Sequence, residues 1–155
     1  MSAFGAGAPG IIFQDEFTVS DVNPEGAKFE KVSRLVCKGV VYELEFMVDI
    51  NSEVFDVRKA DKLSVAIATS LSIDGTPDAG DASDYTRLGG KPSLLDQFDY
   101  AMSGVVYKFK HLQNTKVEAH ISHGGLLARF VGDQRHLSKI KIDAEIFTLI
   151  RKLSS

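Results

Sequence analysis

Two histidines stand close to a pair of glycines in the stretch HISHGGLLARFVGD, residues 120–133. Imidazole is a common metal ligand, so His120 and His123 are the first candidates for a metal site. Residues three apart on a strand face opposite sides of a sheet, so only a helix would bring both rings to one ion. The adjacent Gly124 and Gly125 disfavour a helix. We therefore predict no metal or other cofactor here.

Catalytic candidates are few. Cys37, the single cysteine, could be a nucleophile, and the acids could be Asp15, Asp49, Asp96 or Asp99. None of them has a recognisable partner pattern, and a lone thiol among apolar neighbours is more often a buried small hydrophobe. One cysteine also permits neither an internal disulfide nor a cysteine zinc site, which fits a reducing compartment. We expect no catalytic residues.

Two glycine-rich stretches resemble nucleotide-binding loops but lack their context. GAGAPG, residues 5–10, has the spacing of a dinucleotide fingerprint, yet four residues cannot form the strand that must precede it. GGKPS, residues 89–93, has a proline between the lysine and the serine and no glycine at the required upstream position. We interpret residues 1–10 as a flexible, disordered tail and the second stretch as part of a loop.

Composition predicts one globular domain, residues 11–155, in a chain of 155 residues that is 44% hydrophobic. The formal net charge of −3 gives no general attraction to nucleic acid or to an anionic membrane. The charge is uneven, since residues 101–155 contain nine Lys or Arg and four Asp or Glu. No apolar run approaches the length of a membrane span, and we expect a soluble protein of the cytosol or nucleus.

An alternation of apolar and polar residues, typical of strands with one face on a core, recurs along most of the chain. The predicted strands are residues 11–22, 29–38, 40–50, 63–73, 97–110, 116–122, 125–131 and 144–153. Helices should be short, and SLLDQF from Ser93 could form one capped turn. Residues 74–95 are predicted to be a long, acidic, disordered loop. So many short strands in one domain predict an all-β, closed or nearly closed antiparallel barrel.

Glycines mark two special places in these strands. The apolar face changes from even to odd positions at Gly104, between Met102 and Val105, which predicts a β-bulge there. Gly124 and Gly125 enter a predicted strand, where glycine is costly, so we expect a barrel corner, a flat patch for a partner chain, or both.

Several segments together resemble the small OB-fold subunit common to eukaryotic nuclear RNA polymerases I, II and III. Each is weak alone, but NPEGAKFEKVSR and SHGGLLAR in one chain are specific. They follow the family's order over nearly the whole chain outside the tail and the loop: IIFQDEFTVSDVNPEGAKFEKVSR (11–34), DIN (49–51), IATSL (67–71), DQFDYAMSGVVYK (96–108), SHGGLLARFVGD (122–133) and LIRKL (149–153).

The resemblance implies an eight-stranded barrel of the OB type with a mobile acidic loop. It also implies a non-catalytic subunit that docks on the largest polymerase subunit, supports assembly and integrity of the enzyme, and resides in the nucleus, including the nucleolus. The matching positions most suited to that contact are Tyr100, Met102, Gly104, Gly124, Gly125, Leu126, Leu127 and Arg129. The sequence does not tell which of them face the partner and which face the core.

Three positions depart from the pattern that the resemblance leads us to expect. His123 replaces an aromatic residue, Ser103 a tyrosine and Ala128 a methionine. These changes reduce apolar bulk or add polarity, so we expect a partner surface that has diverged together with its partner.

A second hypothesis is a freestanding OB-fold protein that binds single-stranded nucleic acid on an aromatic platform. Its platform would be Tyr100, Tyr107, Phe109 and Phe130, beside the basic part of the chain. Aromatics that alternate with aliphatic residues are more often core, which favours the first hypothesis. Oligomerisation through exposed barrel edges is also open from sequence.

Overall fold

The computed structural model describes residues 10–26, 30–71 and 93–154. The predicted tail, except Gly10, and residues 74–92 of the predicted acidic loop lie outside the described residues. The strands are β1 (Ile11–Val22), β2 (Val32–Gly39), β3 (Glu45–Asn51), β4 (Lys62–Ala68), β5 (Tyr100–His111), β6 (Lys116–His123), β7 (Leu126–Asp133) and β8 (Glu145–Ser154).

The eight strands form one closed barrel in the order β1-β2-β3-β7-β6-β5-β8-β4, with β4 paired back on β1. Every neighbouring pair is antiparallel. The predicted all-β, closed antiparallel barrel of about eight strands is therefore confirmed. Closure gives each strand a neighbour on both sides, so none of the eight strands is an edge strand.

The barrel interior is filled by the inward-facing apolar side chains of the strands. Phe17, Phe46 and Phe130 are fully buried, and the rings of Phe46 and Phe130 stack with centroids 4.4 Å apart. Burying a large apolar side chain stabilises the fold by about 1.5 to 3 kcal/mol. A one-residue slip of a strand would expose all of its core residues, so this packing fixes the register.

Four predicted strands are too long. Those predicted at 29–38 and 97–110 begin three residues before β2 and β5, and the other two differ by more. Residues 40–44, predicted as part of a strand, form the connection from β2 to β3, where the Gly39 N–H donates to the Leu44 carbonyl. Val40 and Tyr42 are consequently exposed rather than packed on the core. Residues 69–71 likewise follow the end of β4. Apolar alternation continued past each strand, but backbone pairing ends where the chain leaves the barrel wall.

The predicted bulge at Gly104 is in the wrong place. Gly104 continues the inward face between Met102 and Val106, both buried. The register shift comes later, because Val106 pairs with Ile121 and Lys108 with His120, which leaves Tyr107 as the extra residue. Gly104 instead permits close packing, since a Cβ there would lie 2.6 Å from the Ser122 carbonyl oxygen.

Gly124 and Gly125 do not enter a strand. They form the two-residue turn between β6 and β7, where His123 pairs with Leu126. Both have positive φ, 65° and 107°, as a type I′ hairpin turn requires. No atom lies within 4 Å of where either Cβ would be, so the left-handed backbone accounts for these glycines and close packing does not.

Helices are short, as predicted. Ser93 caps a 3-10 turn (Leu94–Gln97), with the Ser93 and Asp96 side chains forming a reciprocal capping box. The helix α1 (Gln134–Leu137) follows β7 and is capped by Asp133. Among the described residues, no helix has the length and apolar character needed to cross a bilayer.

Candidate protein-docking surface

The outward side of the sheet formed by β2, β3, β7, β6 and β5 is the candidate surface, and we call it the outer face. Cross-strand pairing places Val36, Met47, Arg129 and His120 in one row across four strands. Val105 and Tyr107 lie beside this row on β5, and they are 40% and 45% exposed. The outer face therefore combines exposed apolar side chains with an arginine and a histidine.

The structure divides the predicted contact residues between two sides of the barrel wall. Leu127 and Arg129 alternate with the buried residues of β7 and so lie on the outer face. Gly124 and Gly125 form the turn at the edge of that face. The other four lie on the inward side: Met102 is buried, Gly104 packs against β6, and Tyr100 and Leu126 pack against the core.

Tyr100 has a structural position rather than an exposed one. Its hydroxyl oxygen accepts a hydrogen bond from the Asn51 N–H at 2.9 Å. Its ring lies nearly parallel to the ring of Phe55, with centroids 5.1 Å apart. Tyr100 thus ties the start of β5 to the end of β3, two strands that are not neighbours in the barrel.

Sequence reasoning missed four outer-face residues, Val36, Met47, Val105 and Tyr107, as contact candidates. With a bulge at Gly104, Val105 and Tyr107 would share the inward side of the strand with Phe109. With the bulge at Tyr107, both side chains point outward while Phe109 packs against the core. The sequence feature that could have identified Val105 and Tyr107 is that both are large apolar residues at positions of the strand that face solvent.

Asp49 anchors the outer face. Arg34 on β2 donates from Nε to Oδ1 at 2.7 Å and from Nη2 to Oδ2 at 3.1 Å. The Leu127 N–H on β7 donates to the same Oδ2 at 3.0 Å. Through these bonds the buried carboxylate of Asp49 on β3 links its own strand to both neighbours, β2 and β7. Asp49, a candidate acid from the sequence, is thus engaged by these hydrogen bonds and serves as a structural clamp.

Replacing Asp49 with alanine is expected to lower the free energy of unfolding by about 2 kcal/mol, because it leaves the Arg34 guanidinium and the Leu127 N–H without their acceptor. Urea unfolding of the purified protein measures this. Glu45→Ala, an exposed change on the same strand, is the matched control and should cost a few tenths of a kcal/mol, about the usual surface effect. Equal losses in the two variants would contradict the clamp.

Three other candidates for chemistry have structural positions, and Asp15 is the exception. Its Oδ1 accepts from the Glu16 N–H at 2.8 Å, its buried Oδ2 has no hydrogen-bond partner among the described residues, and burial raises its pKa. Burial raises the pKa of Cys37 to about 12, so the thiol is not ionised at neutral pH. Asp96 belongs to the capping box, and Asp99 accepts from the Lys152 N–H at 2.8 Å. In residues 10–26, 30–71 and 93–154, no three His, Cys, Asp or Glu side chains are grouped so that they could hold a metal ion.

The two histidines lie on opposite sides of the barrel wall, as the strand spacing predicted. His120 contacts Glu118 on the outer face. His123 is buried, with Nε2 2.7 Å from the Thr148 hydroxyl and Nδ1 3.2 Å from the Leu126 carbonyl oxygen. Because a carbonyl can only accept, Nδ1 carries the proton and Nε2 accepts from Thr148.

Two of the three departures from the family pattern lie inside the barrel. His123 and Ala128 are buried, and only Ser103 points outward. For His123 and Ala128 the expectation of a diverged partner surface is therefore wrong. In this chain His123 is hydrogen-bonded to Thr148 inside the barrel.

The fold and the outer face together define a class: a small closed antiparallel β-barrel with a mixed apolar and basic sheet face. The sequence model described as RNA polymerase Rpb8 matches residues 14–152, and the chain belongs to this family. The family resemblance seen in the sequence is thereby confirmed.

Three relatives illustrate the similarity, and the match covers 97% of the length of each of them. An Arabidopsis thaliana protein, "DNA-directed RNA polymerases II, IV and V subunit 8B", is 38% identical over 92% of this chain. A Dictyostelium discoideum protein, "DNA-directed RNA polymerases I, II, and III subunit rpabc3", is also 38% identical over 92%. A Saccharomyces cerevisiae protein, "DNA-directed RNA polymerases I, II, and III subunit RPABC3", is 37% identical over 91%.

Proposed function

We propose that this protein is a non-catalytic common subunit of the nuclear DNA-directed RNA polymerases I, II and III. It docks on the largest subunit and supports the assembly and integrity of the enzyme, in the nucleus including the nucleolus. The observation that carries the proposal is family membership over residues 14–152, with relatives named as polymerase subunits. The structural hydrogen bonds of Asp49, Asp96 and Asp99 and the buried, un-ionised Cys37 agree with a subunit that binds rather than reacts.

The outer face is the surface that we assign to this docking. Protein interfaces concentrate binding energy in a few residues near the centre, and tyrosine and arginine are enriched among them. Tyr107 and Arg129 are such residues, and they flank His120 in the pairing of β5, β6 and β7. Val36, Met47 and Val105 supply apolar area around them, and the Asp49 clamp holds the strands that present it.

The predicted contact residues enter this proposal according to their position. Leu127, Arg129, Gly124 and Gly125 lie on or at the edge of the outer face and would contact the largest subunit. Met102, Gly104, Tyr100 and Leu126 would act indirectly, because they position β5 and β7 from within the barrel.

The double variant Tyr107→Glu with Arg129→Glu is expected to reduce recovery of the largest subunit with the tagged protein at least about tenfold. The first substitution would bury a negative charge in the interface, and the second would replace a positive charge with a negative one. Affinity purification from nuclei, with quantification of companions, measures this. Val54→Glu, a 69% exposed position outside the outer face, is the matched control and should leave recovery unchanged. Full recovery with the double variant would contradict the assigned surface.

The same purification tests the proposal as a whole. Wild-type protein should bring down the largest subunits of polymerases I, II and III, and the association should survive moderate salt because Val36, Met47, Val105 and Tyr107 supply apolar contact area. Imaging of the tagged protein should show it in the nucleoplasm and the nucleolus. Recovery as a free monomer from native nuclei would overturn the proposal, and recovery with one polymerase only would overturn its common role.

The geometry does not favour the alternative of a freestanding single-strand binder. Phe130 is fully buried, and Tyr100 and Phe109 pack against the core. Of the four aromatics predicted to form the platform, Tyr107 alone points outward as an exposed side chain. Stacking of successive bases needs several exposed rings, which these four do not provide.

A further inference from the structure

A groove of about 540 Å³ opens at one end of the barrel, on the inward side of the β5–β6 hairpin. We call it the end groove. Its floor is apolar and includes Phe109, Val117 and Ile140, and Ile142 stands at its lip with 53% of its surface exposed. The outer face lies on the other side of the same hairpin, because the side chains of Phe109 and Val117 point inward whereas that of Tyr107 points outward.

Both walls of the end groove are fixed by backbone hydrogen bonds. The hairpin tip is joined to α1 by the bond from the Gln134 N–H to the Thr115 carbonyl, 2.8 Å, and by the Thr115 hydroxyl to Asp133, 2.8 Å. The opposite wall is tied to β5, since Asp143 N–H donates to the Val106 carbonyl at 2.7 Å. A groove held open in this way needs little ordering on binding.

The rim of the end groove is basic. Arg135 and Lys141 are the cationic residues among those that line it, next to the imidazole of His111, and Asp143 follows the lining residue Ile142 in the sequence. Asp133, the nearest carboxylate of α1, is engaged by Arg135 and by the Thr115 hydroxyl. This rim accounts for part of the excess of basic residues noted in the second part of the sequence.

We propose that the end groove binds an acidic peptide segment of a partner protein that carries at least one large apolar side chain. The apolar side chain would lie on the floor beside Ile142, and flanking Asp or Glu side chains would pair with Lys141 and with the Nη groups of Arg135, whose Nε donates to Asp133. This combination matches the two properties of the groove, an apolar floor and a cationic rim. The site is separate from the outer face, so it remains open when the proposed docking is made.

A peptide fits these features better than a nucleic acid does. Single strands bind along tracks of cations with exposed aromatic faces for the bases. Here the floor is mostly aliphatic, and its one aromatic ring, Phe109, is already in a T-shaped contact with His111, with centroids 5.7 Å apart. An aliphatic floor of this kind accepts Leu, Ile or Phe side chains and gives bases no platform.

Fluorescence anisotropy with the full-length protein tests the proposal. The probe is a short labelled peptide in which Asp and Glu flank one Leu and one Phe, compared with the same peptide carrying Lys in place of the acids and with a labelled oligo-dT. We expect the acidic peptide to bind, and Lys141→Glu and Ile142→Asp each to weaken it about tenfold. Lys62→Glu and Val54→Asp, exposed changes elsewhere, are matched controls and should leave binding unchanged.

Three results would overturn the proposal: no binding of the acidic peptide, binding that Lys141→Glu and Ile142→Asp leave unchanged, or oligo-dT binding that those variants abolish in preference to peptide binding.

A fourth result that would overturn it concerns the chain's own acidic residues 74–84, which include four Asp and no Lys or Arg. If the peptide binds only after those residues are replaced by a Gly-Ser sequence, that segment is the occupant and a partner peptide is excluded. Circular dichroism of each variant confirms that the barrel is folded.

Discussion

Replacing Gly104 with valine is expected to lower the free energy of unfolding by about 3 kcal/mol, as an overpacking change inside a close-packed barrel. A Cβ at this position would lie 2.6 Å from the Ser122 carbonyl oxygen and 2.7 Å from Cδ2 of His123. The first of these is a backbone atom of the paired strand β6, so the sheet itself would have to move. Urea or thermal unfolding measures the loss.

Two controls separate this steric effect from other properties of glycine. Ser103→Val changes the neighbouring exposed position to the same side chain and should cost little. Gly125→Ala should cost about 1 kcal/mol, because its left-handed backbone is strained for alanine although space for the methyl group is open. If Gly104→Val is no worse than Ser103→Val, close packing between β5 and β6 is not the reason for this glycine.

Acidification from neutral pH to about pH 4 is expected to destabilise the protein through His123. Burial lowers the pKa of His123 to about 4, an effect only partly offset by the Leu126 carbonyl and the charge of Asp49. The unfolded chain, with a pKa near 6.5, therefore takes up the proton first, so the free energy of unfolding falls as the pH drops through this window. A pKa difference of this size corresponds to up to roughly 3 kcal/mol.

The double variant His123→Phe with Thr148→Val removes the titrating ring together with the hydroxyl that would lose its partner. Its loss of stability between neutral pH and about pH 4 should be smaller than that of the wild type by the amount assigned to His123. His111→Gln, at the exposed end of β5, is the matched control and should retain the full loss. An unchanged pH profile in the double variant would assign the loss to other groups. NMR titration of the His123 ring gives its pKa directly.

The barrel itself could be predicted, because strand alternation is a local property that each segment carries independently of its neighbours. The parity of β6 placed His120 and His123 on opposite sides of the wall, and the structure agrees. The alternation failed at the strand ends, where Val40 and Tyr42 continue the pattern although the chain has turned away. It also failed at the bulge, because an extra residue is defined by the partner strand and not by the strand that contains it.

The candidate surface was predicted only in part for the same reason. Leu127 and Arg129 could be chosen from the family resemblance, but their outward direction became known from β7 in the barrel. Tyr107 is a large aromatic residue in a predicted strand, but the side of the barrel wall that it faces depends on the register between β5 and β6. The end groove had no sequence signal at all, since Phe109, Arg135 and Lys141 come from three separate elements.

The amino-acid sequence alone determined the strand character of this chain, the two sides of most strands, the capped turn at Ser93 and the family, since these depend on residue types at short spacing. Tertiary structure decided which side chains meet: Asp49 with Arg34 and Leu127, His123 with Thr148, and Gly104 with β6. Such contacts join residues far apart in the chain, and only closure of the barrel sets the neighbours and register that bring them together.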